Sequence, residues 1–166
     1  MKNLFVVRHA KSSWDNEDLS DFERPLNDRG KRDAPEMGRR LKERGVKPNL
    51  LYSSPAKRAL STAKRIAEVL GYPKGDITTD RRLYHAGDDT IFKVLGELKD
   101  KHDTVVIFGH NPGLTDFVNA LMNERAYVDN VPTAGVVHFT LPITHWKDIA
   151  PGTGSLILFD YPKNIS

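Results

Sequence analysis

Short apolar runs alternate along this chain with longer stretches whose apolar positions recur at helical spacing. Residues 3–7 (NLFVV) form the first run and read as a strand buried on both faces. Residues 11–23 show no period and read as a loop. From Asp28 to about Arg44, residues Ala34, Met37, Gly38 and Leu41 share one helical face, with Asp28 as the N-cap and Gly45 as the stop. Residues 49–53 make a second strand. Ser54 and Pro55 then read as an N-cap followed by a first-turn proline, whose missing N–H costs nothing there. That helix runs to about Leu70 and stops at Gly71. A strand at 77–79, a helix from Asp88 or Asp89 to about Leu98 and a strand at 104–108 follow. A helix at 111–122 and strands at 136–141 and 155–161 complete the pattern.

Strands alternating with helices predict an α/β fold, a three-layer sandwich with a mostly parallel central sheet flanked by helices. In such sheets ligands gather at the carboxyl ends of the strands. The 166 residues fit one domain spanning 1–166. With 39% hydrophobic and 28% charged residues, the composition is that of an ordinary globular protein. No run approaches the ~20 apolar residues of a membrane span, and the first strand leaves no room for a signal peptide. A cytoplasmic protein without a membrane partner is the expectation. The absence of cysteine removes disulfides, thiol nucleophiles and thiolate metal sites. A formal charge of +3, spread along helix-like stretches, does not indicate nucleic acid.

Three stretches leave strands carrying able side chains: Arg8 and His9 in RHAK, Ser53, Ser54 and Arg58 in SSPAKRA, and Gly109, His110 and Asn111 in GHNPG. A parallel sheet would bring them to one edge. Arginine offers a rigid fork of donors that matches phosphate oxygens. A helix N-terminus adds free N–H groups, and a neutral imidazole is a competent nucleophile. The set suits phosphoryl transfer, which mostly needs positioning and charge stabilisation. Each stretch alone reads as a strand end, a helix start or a turn; the combination in this order is specific. His102, His138 and His145 are given no role.

These motifs resemble those of the histidine phosphatase superfamily: RHA after the first strand, SSPAKRALSTA at 53–63, HNPG at 110–113, and RPLNDRG at 24–30 ahead of the first long helix. The RHAKS opening and compact length are most similar to the SixA-type phosphohistidine phosphatases within it. The resemblance implies a phosphoglycerate mutase-like fold and a metal-free phosphatase without a cofactor. It implies His9 as nucleophile and transient phosphohistidine, with Arg8, Arg58 and His110 binding the phosphoryl group. His9 would be neutral at the attacking nitrogen; His110 would donate a hydrogen bond or be cationic. Ser12 and Asn16 are candidate secondary phosphate contacts, and Lys11 a rim residue.

One part of the family pattern is missing. Where many members carry a glutamic acid that protonates the departing alcohol, this chain reads RRLYHAGDD, with His85 at about that position and Tyr84 and Asp88 nearby. An alkoxide needs a strong proton donor, whereas an imidazole, with a conjugate-acid pKa of about 6.5, leaves with little help. His85 is therefore either a weak general acid or a loop cap. The expected substrate is phosphohistidine on a protein. The alternatives are a broad small-molecule phosphomonoesterase and a phosphate- or phosphoprotein-binding module without turnover. The acidic loop 11–23, with Trp14, is a candidate contact for a basic partner.

Overall fold

The computed structural model describes residues 1–122 and 126–164. Strands β1 (Lys2–Arg8), β2 (Leu50–Ser53), β3 (Thr78–Thr79), β4 (Thr104–Gly109), β5 (Val136–Leu141) and β6 (Ser155–Asp160) form one sheet in the order β3-β2-β4-β1-β5-β6. Helices α1 (Asp28–Glu43) and α2 (Lys57–Leu70) cover one face, and α3 (Asp88–Gly96) and α4 (Gly113–Met122) the other.

β1 to β4 run parallel, as the alternation predicts, while β5 lies antiparallel to β1 and β6 antiparallel to β5. The reason lies after α4. There the chain returns to the carboxyl edge of the sheet, where the Gly135 carbonyl accepts from Arg8 N at 3.1 Å. β5 therefore starts beside the end of β1 and must run the other way. β6 follows through a connection whose only helical piece is a three-residue 3-10 turn, Trp146–Asp148, and antiparallel neighbours need no helical crossover.

The sheet is a rigid shelf because its central strands are buried on both faces. Leu4, Val6, Val105 and Ile107 pack with Leu95, Phe117, Leu121 and Trp146 on one side. Phe5, Val7, Val106 and Phe108 pack with Met37, Leu41, Ile66 and Ala67 on the other. Each such side chain contributes about 1.5–3 kcal/mol when fully buried, so sliding β1 by one residue would misplace its whole set of core contacts.

Three helix starts differ from the sequence expectation. The N-cap of α1 is Asn27, whose side-chain oxygen accepts from Gly30 N at 2.9 Å, not Asp28. α2 begins at Lys57 with Ala56 in the cap position. Ser54 is not its cap, because its hydroxyl is drawn into a contact with a histidine from a different strand. α4 likewise begins at Gly113 rather than 111. The Asn111 side chain instead accepts from Thr115 N and Oγ1 (3.1 and 2.8 Å) and donates to the Val131 carbonyl at 2.9 Å.

Candidate active site

The register of the central strands places the chemistry. Arg8 pairs with Gly109, the last residues of β1 and β4, and His9 N donates to the Gly109 carbonyl at 3.1 Å. The next residues, His9 and His110, thus become neighbours, with ring centroids 5.3 Å apart. Ser53 pairs with Phe108, and Ser54 N donates to the Phe108 carbonyl at 3.0 Å, bringing the third motif alongside. Arg8, His9, Ser12, Arg58 and His110 all line one pocket of about 230 Å³ at this edge.

His9 is buried at 7% exposure. Its Nδ1 donates to the Ala10 carbonyl at 2.7 Å. A carbonyl only accepts, so Nδ1 carries the proton and Nε2 of the neutral ring keeps its lone pair. Burial lowers the His9 pKa to about 4; the Ala10 carbonyl opposes this, and the charges of Arg58, Arg8 and Arg24 add to it. The ring is therefore neutral at pH 7. Its mounting is braced by Thr62, whose hydroxyl accepts from Ala10 N (2.9 Å) and donates to the Arg58 carbonyl (2.8 Å), tying the exit of β1 to the first turn of α2.

His110 is also buried, with Nε2 2.8 Å from Ser54 Oγ. Ser54 Oγ also accepts from Ala56 N at 3.2 Å. The serine hydroxyl has one proton to give, and giving it to Nε2 leaves His110 protonated on Nδ1. Burial is the largest cause that lowers the His110 pKa to about 3; the Arg58 charge adds to it, and Asp21 pulls the other way. Of the two forms the sequence left open, the free site holds the neutral donor and not the cation. His110 Nδ1, Arg8 Nε and Arg58 Nε are buried without a hydrogen-bond partner. Orphaned buried donors are rare in native proteins, and these three belong to residues lining one pocket.

The mouth is built from residues to which the sequence reading gave no phosphate role. Asp21, from a 3-10 turn (Asp21–Glu23), places Oδ2 3.0 Å from Arg58 Nη2 and 2.6 Å from the Tyr84 hydroxyl. Its Oδ1 accepts from Arg24 Nε at 3.2 Å. Burial pushes this carboxyl up, but the Tyr84, Arg58 and Arg24 donors outweigh it and hold it well below the usual range. Arg24, buried beneath Trp14 with its guanidinium carbon 3.4 Å from the ring centroid, donates to Ser12 Oγ at 2.8 Å. Arg24 lay inside RPLNDRG, so a signal existed; nothing in the spacing showed that Asp21 would fold back onto Arg58.

The remaining expected residues divide. Ser12 lines the pocket with its hydroxyl engaged by Arg24, and Lys11 stands at the rim. Asn16 is not among the lining residues: its side-chain oxygen accepts from Asp18 N at 3.0 Å in a local turn. His85 lines the mouth with its side chain 66% exposed and Nε2 3.8 Å from Asp21 Oδ2. Its φ is 58°, a left-handed backbone uncommon outside glycine. Among the described residues no cluster of three or more His, Cys, Asp or Glu side chains is placed to hold a metal ion. His138 stacks on Phe5 at 4.0 Å, and His145 pairs with Asp100 at 2.9 Å, neither in the pocket.

A buried neutral imidazole thus stands among arginines at the carboxyl edge of the parallel strands β1, β2 and β4, the place where α/β sheets bind ligands. The sequence model of the histidine phosphatase superfamily (branch 1) matches residues 4–87, and the chain belongs to that superfamily. An uncharacterised chloroplastic protein of Arabidopsis thaliana is 31% identical over 128 residues, covering 72% of this chain and 59% of that protein. The chain thus spans less than two thirds of that relative's length. An uncharacterised protein of Mycobacterium tuberculosis is 29% identical over 169 residues, covering 95% of this chain and 100% of its own. Among solved structures, a SixA-type protein of Agrobacterium tumefaciens superposes with a TM-score of 0.81 at 25% identity, covering 97% of this chain and 98% of that one. The fold is shared with a protein histidine phosphatase SixA complexed with tungstate (TM-score 0.82, 22% identity, 98% of each chain). No helix among the described residues is long and apolar enough to cross a membrane.

Proposed function

We propose that this chain is a metal-independent phosphatase that works through a phosphohistidine intermediate on His9 and dephosphorylates phosphohistidine on a protein. The observation that carries the reading is the convergence of Arg8, Arg58 and His110, each with a ring or guanidinium nitrogen lacking a partner, on the pocket that holds the neutral His9 imidazole. A phosphoryl group supplies the acceptors they lack. The related protein that holds tungstate, a tetrahedral oxyanion, supports the same occupant.

His9 Nε2 attacks phosphorus and forms a P–N bond while the bond to the leaving group breaks, its electron pair going to the departing atom. Arg8, Arg58 and His110 donate to the equatorial oxygens as charge redistributes. Water then forms a new P–O bond, the P–Nε2 bond breaks, and inorganic phosphate leaves His9 neutral again. Ser12 contributes through Arg24, which it holds at the pocket wall. The mouth suits a phosphate displayed on a protein surface, since His85 and Trp14 (71% exposed) stand there in solvent.

A second reading, a broad phosphomonoesterase, is favoured by one observation: the exposed His85 imidazole at the mouth is placed to protonate a departing alkoxide. The two are separated by comparing kcat/KM on a phosphohistidine peptide with that on alkyl phosphates, with a chelator present. Faster turnover of the peptide and acid-labile labelling of wild type but not His9→Ala are the expected results. Full activity in His9→Ala, or activity lost to the chelator, would overturn the mechanism.

A further inference from the structure

We infer that Asp21 is a specificity-determining residue: its carboxylate accepts from the distal ring N–H of a phosphorylated imidazole and keeps that ring protonated until it departs. The inference rests on the phosphatase reading above and deepens it, naming the substrate class as protonated P–N phosphoramidates.

Asp21 is the sole carboxylate among the described residues lining the pocket. A negative charge beside a phosphoryl site opposes the binding of any phosphate, so its presence there needs a reason. Geometry supplies one. Displacement at phosphorus is in line, so the leaving group points away from the nucleophile. His9 is the pocket floor at 7% exposure, whereas the Asp21 side chain is 41% exposed, at the mouth where the leaving group must lie. The Asp21 oxygens accept from Tyr84, Arg58 and Arg24. A carboxylate has about four acceptor sites, so one remains for a ring N–H.

The proton matters to the chemistry. With the distal nitrogen protonated, the P–N bond breaks with its pair returning to the ring, and neutral imidazole leaves with its N–H intact. Without that proton the leaving species would be imidazolate, a far poorer leaving group. The same carboxylate disfavours an anionic leaving group such as a phenolate.

The test compares wild type with Asp21→Asn, which keeps the shape and one acceptor oxygen but loses the charge, on N-phosphoimidazole and p-nitrophenyl phosphate between pH 5 and 9. An opposite charge at this range shifts a titrating group by roughly one unit or more. The alkaline limb of kcat on phosphoimidazole should therefore move down by about one pH unit in Asp21→Asn, with about a tenfold loss on that limb. Turnover of p-nitrophenyl phosphate should fall by clearly less than turnover of phosphoimidazole. Tyr84→Phe keeps the carboxylate and should keep the preference. An equal loss on both substrates would show that Asp21 only positions Arg58 and overturns the inference, as does no loss on either. If wild type forms phospho-His9 and turns over both substrates but the ratio ignores Asp21, this inference alone falls. If wild type forms no phospho-His9, the functional reading fails and takes the inference with it.

Discussion

Ser54 Oγ stands 2.8 Å from His110 Nε2, and both residues are buried. This contact joins the end of β2 to the end of β4 and fixes which ring nitrogen of His110 faces the pocket as a donor. In Ser54→Ala the imidazole loses its one partner inside the protein. Leaving a buried polar group unsatisfied costs about 1–3 kcal/mol. Denaturant unfolding should show that loss, and kcat/KM should fall roughly tenfold, the equivalent of about 1.4 kcal/mol. Unchanged kinetics would mean that His110 holds its orientation without Ser54.

The two active-site histidines make stability depend on pH in a defined direction. Their folded pKa values, about 4 for His9 and about 3 for His110, lie below the ordinary 6.5. Below pH 6.5 the unfolded chain takes up protons that the native state refuses, so stability falls as pH drops from 6.5 toward 4. A double variant, His9→Asn with His110→Gln, should lose less stability than wild type over that window in parallel thermal melts. By the same values, kcat/KM should show no loss from His9 protonation between pH 7 and 5.

Gly113 opens α4 against the loop that carries His85. A Cβ there would run into the Ala86 carbonyl oxygen. The backbone has nowhere to yield without moving either the GHNPG turn or the mouth. Gly113→Ala should cost about 1–3 kcal/mol, as overpacking does, and lower Tm by roughly 2–4 °C per kcal/mol. Phosphatase activity should fall with it at a temperature where the variant remains folded.

Arg58 serves two groups at once. Its Nη atoms hold the Asp21 carbonyl (2.6 Å) and carboxylate (3.0 Å), while its guanidinium lines the pocket with a buried Nε that lacks a partner. A lysine ammonium is a point charge without that fork. Arg58→Lys should reduce kcat/KM by about 10²-fold, the scale of losing one transition-state donor. Phosphate competition should weaken as well, which inhibition by inorganic phosphate would report.

His85 has a φ of 58°, so replacement by alanine would mix backbone strain with loss of the ring. Glycine accepts that conformation without strain. His85→Gly should keep its Tm and its turnover of phosphoimidazole, and lose about tenfold or more on alkyl phosphates if the imidazole is the proton donor. Equal rates on both substrates would assign it no proton transfer.

Much of the architecture was legible because it follows from local pattern. The apolar runs marked β1, β2 and β4, the spacing of Ala34, Met37 and Leu41 marked α1, and Gly71 marked the end of α2. Asn27 was passed over in favour of Asp28 because both are good caps and only the backbone decides between them. Ser54 looked like a cap because it precedes a helix; its actual partner, His110, lies 56 positions away. Asp21 was unreadable as a site residue for the same reason, and RPLNDRG marked Arg24 without showing what it holds. Their partners, Ser12, Arg58 and Tyr84, come from three different segments.

The sequence by itself determined that three strand ends would present Arg8, His9, Arg58 and His110. From β1 to β4, strands alternating with helices run parallel, and parallel strands end on one edge. Only the tertiary structure decided which protonation state each imidazole holds, which donors are left without partners, and that one carboxylate closes over the pocket mouth. Those properties depend on burial and on distances between residues remote in sequence, and neither is set until the chain has packed.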